Sequence, residues 1–391
     1  MAVWKGTGVI EGDGRPYVMV DKKRLLCGYT TGTCAAAASK MAAMVLLGGI
    51  VPNSVEVVTP RGITIEMEVE DLMASKSMAS CAVRKDAGDD ADATDGVLIY
   101  SEVTRRNDGI ICVTGGIGVG RVTRKGLDQP VGNHAINSVP RNMIIEAVED
   151  VCNAMGHNDG LDVKIYVPEG ERVARKTFNP RLGIEGGISI LGTSGIVEPM
   201  SETALVNAIR IEMQVRKEAG EGTLLLVPGN YGVAHSESMD GLDGDQAVKC
   251  SNFIGQSLDY ALELGFKGVL LIGNLGKLVK LGGGLMNTHS RWGDCRMEIL
   301  ASSFIKAGGD AKVAKGILSC ISTDDALDML VEDGLLEGTM ERLMDDVMYH
   351  LIHRVGDGME IGVAIFSSKY GRLIETNNVR EMIGRVGNVK N

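Results

Sequence analysis

The sequence predicts an α/β protein in two domains. The first, over 1–190, reads as an N-terminal α+β domain with mixed and antiparallel strands. The second, over 191–391, reads as a C-terminal three-layer α/β domain with a mostly parallel sheet. Three observations predict this. At 391 residues the chain is long for one hydrophobic core. Up to about residue 190, short alternating runs bounded by turn residues dominate, the period-two pattern of half-buried strands. Beyond it, helical segments alternate with short, uniformly apolar runs, the order of a parallel sheet. A stretch rich in Gly, Ser and Thr, 185–199, lies where the patterns change and reads as a crossover between domains.

Composition narrows the function classes. With 44% apolar and 4% aromatic residues the chain is an ordinary globular one. Its formal charge of −11 argues against general affinity for nucleic acid or an anionic membrane, so an anionic ligand must be met by local basic clusters and backbone N–H groups. Eight cysteines include no C-x-x-C pair, which excludes a zinc ribbon or a thioredoxin-type motif and fits a reducing cytoplasm. The N-terminus shows no signal-peptide core, and the longest apolar run, 41–47, is far shorter than a membrane span. The expectation is a soluble cytoplasmic protein.

Along the first domain, 27–47 reads CGYTTGTCAAAASKMAAMVLL. Thr31 or Thr33 can cap the helix that the alanines propagate, and the open N–H groups of a Thr- and Gly-rich helix start can cradle a carboxylate or phosphate. The alternative is an ordinary capped core helix. Cys34, with no base nearby, reads as a small packing residue. The runs 55–59 and 63–69 form a hairpin around Pro60-Arg61-Gly62, and 78–83 and 97–103 are two further strands. The acidic loop between them, from Arg84 to Asp90 and on to Asp92 and Asp95, lacks the residue order of a calcium loop. Lys85 is left open as an anion ligand, and Asp86 and Asp89 as a base or as partners for ribose hydroxyls.

A strand over 109–114 ends in Gly115-Gly116-Ile117-Gly118-Val119-Gly120-Arg121. A dinucleotide fingerprint from Gly116 would need glycine at 121, and no amphipathic helix follows, which excludes a nicotinamide site of the doubly wound type. Arg121, Arg124 and Lys125 beside the glycines still suit a polyanion. A helix capped near Asn137 runs to about 154, and 162–167 is a strand.

In the second domain, helices are expected at 202–219, 245–264, 294–307 and 323–355, and strands at 223–227, 268–272 and 361–366. The glycine turns at Gly229-Asn230-Gly232 and Gly273-Asn274-Gly276 then lie at strand carboxyl ends on one sheet edge, where ligands of such sheets collect. The stretch 268–290 is the densest in chemistry: a buried strand, two glycine turns, Lys277, Lys280, and the cluster Asn287, Thr288, His289 and Ser290. It is not a phosphate loop of the G-x-x-x-x-G-K-[ST] kind, since Leu271 and Leu278 stand at two required positions. The alternative is a strand-to-helix turn with solvated lysines. His350 and His353 share a helix face but lack a third metal ligand. His289 is the best candidate for acid–base work.

The segments GYTTGTCAAAA (28–38), VRKDAGDD (83–90), TGGIGVGRVTRKGL (114–127), INSVPRNMI (136–144), GTSGIVEPMS (192–201), PGNYG (228–232) and GNLGKLVKL with NTHS resemble, in order and spacing, the CbiD family. These are the cobalt-precorrin-5B C(1)-methyltransferases of the anaerobic cobalamin pathway. Two departures are visible: Asn274 stands where histidine is expected, and Gly282 and Gly283 stand near expected alanines. The resemblance implies methyl transfer from S-adenosylmethionine to ring carbon 1 of a cobalt-bearing tetrapyrrole, with the cobalt belonging to the substrate and no protein-bound metal. On that reading Gly229, Asn230, Gly232, Gly273, Asn274 and Gly276 hold the methyl donor. Thr30, Thr31, Thr33, Lys85, Arg121, Thr193, Ser194, Lys277, Lys280, Thr288 and Ser290 hold the tetrapyrrole carboxylates, and His289 or Asp86 acts as base. A homo-oligomer and transient contacts with neighbouring pathway enzymes are compatible with it. Two other classes compete: a GHMP-type small-molecule kinase, which predicts magnesium-dependent ATP binding, and a non-catalytic cobalt-corrinoid carrier.

Overall fold

The structure, a computed structural model, describes residues 7–9, 15–20, 22–237 and 239–387. The chain divides into two compact units, Met1–Glu202 and Thr203–Asn391.

The first unit is built on a five-stranded sheet. Its order is Ile111–Gly115, Leu161–Tyr166, Leu98–Arg105, Met78–Arg84 and Glu70–Ala74, and only the first pair is parallel. Helices Thr31–Gly48 and Ser138–Met155 pack against each other and against this sheet. Alanine is what permits the close approach: Ala35, Ala36, Ala37 and Ala38 are at most 1% exposed, so the helix is surrounded by protein. The same helix is long and apolar enough to cross a membrane by length and composition, yet 78% of it is buried inside the protein. The expected hairpin is present as Ser54–Val58 against Thr64–Glu68.

The segment 185–199, expected as a crossover, is woven into this unit. Ile196–Val197 pairs with Gly28–Tyr29, and Gly187–Ile188 pairs with Gly118–Val119. The glycine-rich run 115–120 leads into these short pairings, with no helix after it.

The second unit is a three-layer α/β arrangement. Its sheet runs Ala247–Lys249, Thr223–Val227, Gly268–Asn274, Glu360–Ser367 and Gly371–Glu375, with the first four strands parallel and the last antiparallel. Uniformly apolar strands are what a sheet covered on both faces requires. Leu224, Leu226, Val269, Leu271, Val363 and Ile365 join one core with the longer helices, including Leu336–Val355. The intervening Leu225, Val227, Leu270, Ile272, Ala364 and Phe366 join a second core with Val379 and Met382 of the helix Val379–Ile383. One expectation changes here. The helix expected over 245–264 is a strand, Ala247–Lys249, followed by a helix, Ile254–Glu263; three strand residues are too few to show a period. The helices expected over 323–355 are present as two, Thr323–Glu332 and Leu336–Val355, and Ala311–Leu318 is a further one.

Candidate active site

In the second unit the loops leaving three parallel strands are drawn together by one lysine. Lys277 Nζ donates to the carbonyl of Pro228 at 2.6 Å and to that of Ser251 at 3.4 Å. Pro228 follows strand Thr223–Val227, Ser251 follows Ala247–Lys249, and Lys277 itself follows Gly268–Asn274. Burial lowers the Lys277 pKa below its ordinary value; Lys280 adds to this, while Cys250 opposes it. Cys250 is fully buried, and desolvation pushes its thiol up to about 12, so it is an inert packing group. Beside the lysine, Asn230 Oδ1 accepts from Lys249 Nζ at 3.1 Å.

The glycines at this edge divide by what surrounds them. Gly229 has φ 132°, and a side chain there would meet only Lys277 Nζ, at 3.8 Å, so bare backbone faces open space next to a cation. Gly232 and Gly273 are packing positions: a Cβ on either would lie 3.0 Å from neighbouring groups, Ile272 O and Val227 in one case, Leu278 and Pro228 in the other. Asn274 caps the short helix Leu275–Leu278, its Oδ1 accepting the Gly276 N–H at 2.8 Å. At this position asparagine serves the backbone well, whatever residue relatives carry.

Lys280 behaves unlike a surface lysine. It is 4% exposed, and its ammonium donates to the carbonyls of Thr288 and Gly293, both at 3.1 Å, with Asp294 at 3.6 Å. Thr288 is in turn held by the carbonyl and side chain of Asn252, just past the three-residue strand. The expected pairing of Lys280 with a ligand carboxylate is therefore replaced by an internal role, because a buried ammonium requires partners and the loop supplies them. His289 caps the turn Ser290–Trp292, its Nδ1 accepting the Arg291 N–H at 3.1 Å. With Nδ1 occupied as an acceptor, the neutral ring carries its proton on Nε2 and offers a donor there. Ser290 is exposed beside it.

The expected residues of the first unit are mostly engaged internally. Thr30, not Thr31 or Thr33, is the cap: its Oγ1 accepts the Thr33 N–H at 3.2 Å. Gly32 N–H donates to Leu191 O, Thr31 exchanges hydrogen bonds with Ser189 O and Leu191, and Thr33 Oγ1 donates to Gly195 O at 2.7 Å. Of the two readings of this helix start, an open anion cradle and an ordinary capped core helix, the structure shows the second: residues 189–195 close it, and Thr30, Thr31 and Thr33 are all at most 5% exposed. Burial pushes the Cys34 thiol up to about 12, against the pull of Lys85. Lys85 is 2% exposed and paired with Asp92 at 2.7 Å.

Asp86 pairs with Arg15 at 2.8 Å and accepts the Gly88 N–H, while Asp89 accepts the Leu26 N–H. Arg121 donates to Gly132 O from an exposed position. Ser194 Oγ donates to Ile196 O, and Thr193 is exposed. Among the described residues no group of three or more His, Cys, Asp or Glu is arranged to hold a metal.

Sequence reasoning missed Ser251, Asn252, Gly293 and Trp292. The first two follow a strand too short to be seen, and Gly293 and Trp292 lie just beyond the cluster that drew attention.

A family model described as CbiD matches residues 18–199, and one described as the CbiD C-terminal domain matches 287–377. A cobalt-precorrin-5B C(1)-methyltransferase from Ruminiclostridium cellulolyticum is 45% identical over 351 residues, 90% of this chain and 91% of that one. Proteins of the same name from Alkaliphilus metalliredigens and Alkaliphilus oremlandii are 41% and 46% identical, covering 94% and 81% of this chain and 96% and 87% of their own. The crystal structure of the cobalamin biosynthesis protein cbiD from Archaeoglobus fulgidus, 26% identical, covers 82% of this chain and 89% of its own at a TM-score of 0.39. With relatives matching nine-tenths of its length at such identities, this chain belongs to the CbiD family.

Proposed function

We infer that this chain is an enzyme that methylates ring carbon 1 of cobalt-precorrin-5B, with S-adenosylmethionine as the methyl donor. The observation that carries the reaction is the shared name of relatives 41–46% identical to it. The feature that supports a location is the carboxyl edge of the parallel sheet in the second unit, where loops from three strands meet around Lys277. The residues there fit the donor. Gly229 offers unobstructed backbone, Asn230 and the Asn274–Gly276 turn flank it, and the Lys277 ammonium suits the donor's amino-acid carboxylate.

Held by Gly229, Asn230, the Asn274–Gly276 turn and Lys277, S-adenosylmethionine would supply an electrophilic methyl on a sulfonium and would leave as S-adenosylhomocysteine once that methyl passed to ring carbon 1. The macrocycle brings the nucleophilic carbon, so the protein's task is to hold the two reactants in line. Such positioning is worth on the order of 7–11 kcal/mol. His289 presents an Nε2–H donor that suits a ring carboxylate rather than the removal of a proton, and Ser290 and Thr288 line the same loop. Lys280 anchors that loop through the carbonyls of Thr288 and Gly293.

Titration calorimetry with S-adenosylmethionine and S-adenosylhomocysteine, with ATP and magnesium as control, tests the donor. Micromolar binding of the sulfur ligands with none of ATP is expected, and binding of ATP alone would replace this reading with a kinase. Lys277→Met is expected to weaken S-adenosylhomocysteine by about tenfold or more, the loss of one charge-assisted contact. A variant that loses the tetrapyrrole and keeps the donor would reverse the assignment of the two ligands.

A further inference from the structure

We propose that the indole of Trp292 is a stacking platform for the macrocycle, held out for that purpose by the buried Lys280 ammonium. The inference rests on the methyltransferase reading of the same sheet edge and names the side chain that selects a flat ring system there.

Trp292 is 60% exposed, an unfavourable position for a large apolar group, yet the loop beneath it is held by several hydrogen bonds. Asn287 Oδ1 accepts the His289 N–H at 3.0 Å, His289 Nδ1 accepts the Arg291 N–H, and the Trp292 and Gly293 N–H groups donate back to His289 O and Ser290 O. The loop is then anchored twice, by Asn252 at Thr288 and by Lys280 at the Thr288 and Gly293 carbonyls. Gly293 adopts φ 151° and Cys295 φ 49°, so two residues around the indole hold conformations in the left-handed half of the map. A loop that merely joined two helices would need none of this. The bonds fix the backbone on both sides of residue 292 while leaving its ring outside.

The geometry favours one occupant. An aromatic face on a fixed, outward loop matches a large planar or near-planar π system better than a small buried group. The neighbouring donors, the His289 Nε2–H, the Ser290 hydroxyl and the exposed Arg291, suit carboxylates around the ring's rim. The adenine of the methyl donor is the other aromatic group the reaction brings. Open backbone at Gly229 beside Lys277 already accounts for that ligand.

The test compares Trp292→Ala and Trp292→Phe with the parent in absorbance titrations with uroporphyrin, an air-stable polycarboxylate tetrapyrrole, and in calorimetric titrations with S-adenosylhomocysteine. The exposed position makes both variants fold as the parent does, which their denaturation curves verify. Expected are a loss of about tenfold or more in ring affinity for the alanine variant, within about threefold of parent affinity for phenylalanine, and unchanged S-adenosylhomocysteine binding in both. A parent that binds the ring while the alanine variant binds it equally well overturns the platform and leaves the methyltransferase reading standing. Weakened S-adenosylhomocysteine with unchanged ring affinity transfers Trp292 to the donor and overturns the inference too. A parent chain that takes up neither ligand overturns the function proposed for the site, and the inference falls with it.

Discussion

Lys85 and Asp92 show how a charge that looks functional in a sequence becomes structural in the fold. Lys85 is 2% exposed, and its ammonium lies 2.7 Å from the Asp92 carboxylate, which also accepts from the Thr94 N–H and hydroxyl. Burial alone would raise the Asp92 pKa, but the charge and hydrogen bond of Lys85 and the bonds from Thr94 together hold it below its ordinary 3.8. Removing the acid leaves a cation buried without its partner, so Asp92→Asn should cost about 3–5 kcal/mol at neutral pH by chemical denaturation. The sign of the pH dependence follows from the depressed folded-state pKa. The contribution of Asp92 is complete above 3.8 and is lost as pH falls through the folded value, so the gap between parent and variant should hold at pH 7 and close below pH 3.8. A gap independent of pH would mean that the cost comes from packing and not from the ion pair. The same logic applies at Lys280, where carbonyls stand in for the carboxylate. A lysine in a string of letters reads as solvated, and only the chain folding back from Thr288 and Gly293 makes it a buried anchor.

At the scale of elements, the run 115–120 has a use for its glycines that the dinucleotide fingerprint does not describe. Gly118 (φ 72°), Gly170 and Gly187 meet backbone to backbone: a Cβ on Gly187 would lie 2.1 Å from Gly118 O, and one on Gly170 2.0 Å from the same oxygen. No rotamer relieves a clash with main chain, so Gly187→Ala should destabilise the protein by more than about 4 kcal/mol or abolish soluble expression. Its neighbour Gly186 (φ 77°) has nothing within 4 Å of a Cβ, and Gly186→Ala should lose only the ~1–2 kcal/mol of the left-handed conformation. Equal thermal shifts for the two variants would remove the close-approach explanation. This contrast marks the limit of reading elements from letters. The alanine helix, the hairpin and the apolar strands were legible because local period and propensity decide them. The closure of the helix start at Thr30–Thr33 by residues some 160 positions later was not, since no local pattern encodes a partner that distant. Strand Ala247–Lys249 was hidden by its length, and with it Ser251 and Asn252, which the candidate site uses.

For the whole molecule, the two ligands of the proposed reaction meet the same field with opposite signs. The formal charge of −11 gives the chain no long-range attraction for a polycarboxylate ring, and the basic groups at the sheet edge act only at close range: Lys277 and Lys280 are largely shielded by their own carbonyl partners. The methyl donor, with a sulfonium and an ammonium against one carboxylate, carries net positive charge and is drawn by that field. Salt screens both effects, with a Debye length of about 10 Å at 0.1 M and about 30 Å at 0.01 M. In stopped-flow measurements from about 10 to about 300 mM NaCl, the association rate of S-adenosylmethionine should therefore fall while that of a polycarboxylate tetrapyrrole holds or rises. A ring on-rate that drops steeply with salt would require a positive field over the site strong enough to outweigh the chain's net charge. In that case exposed arginines such as Arg291 would be among the groups that recruit the substrate.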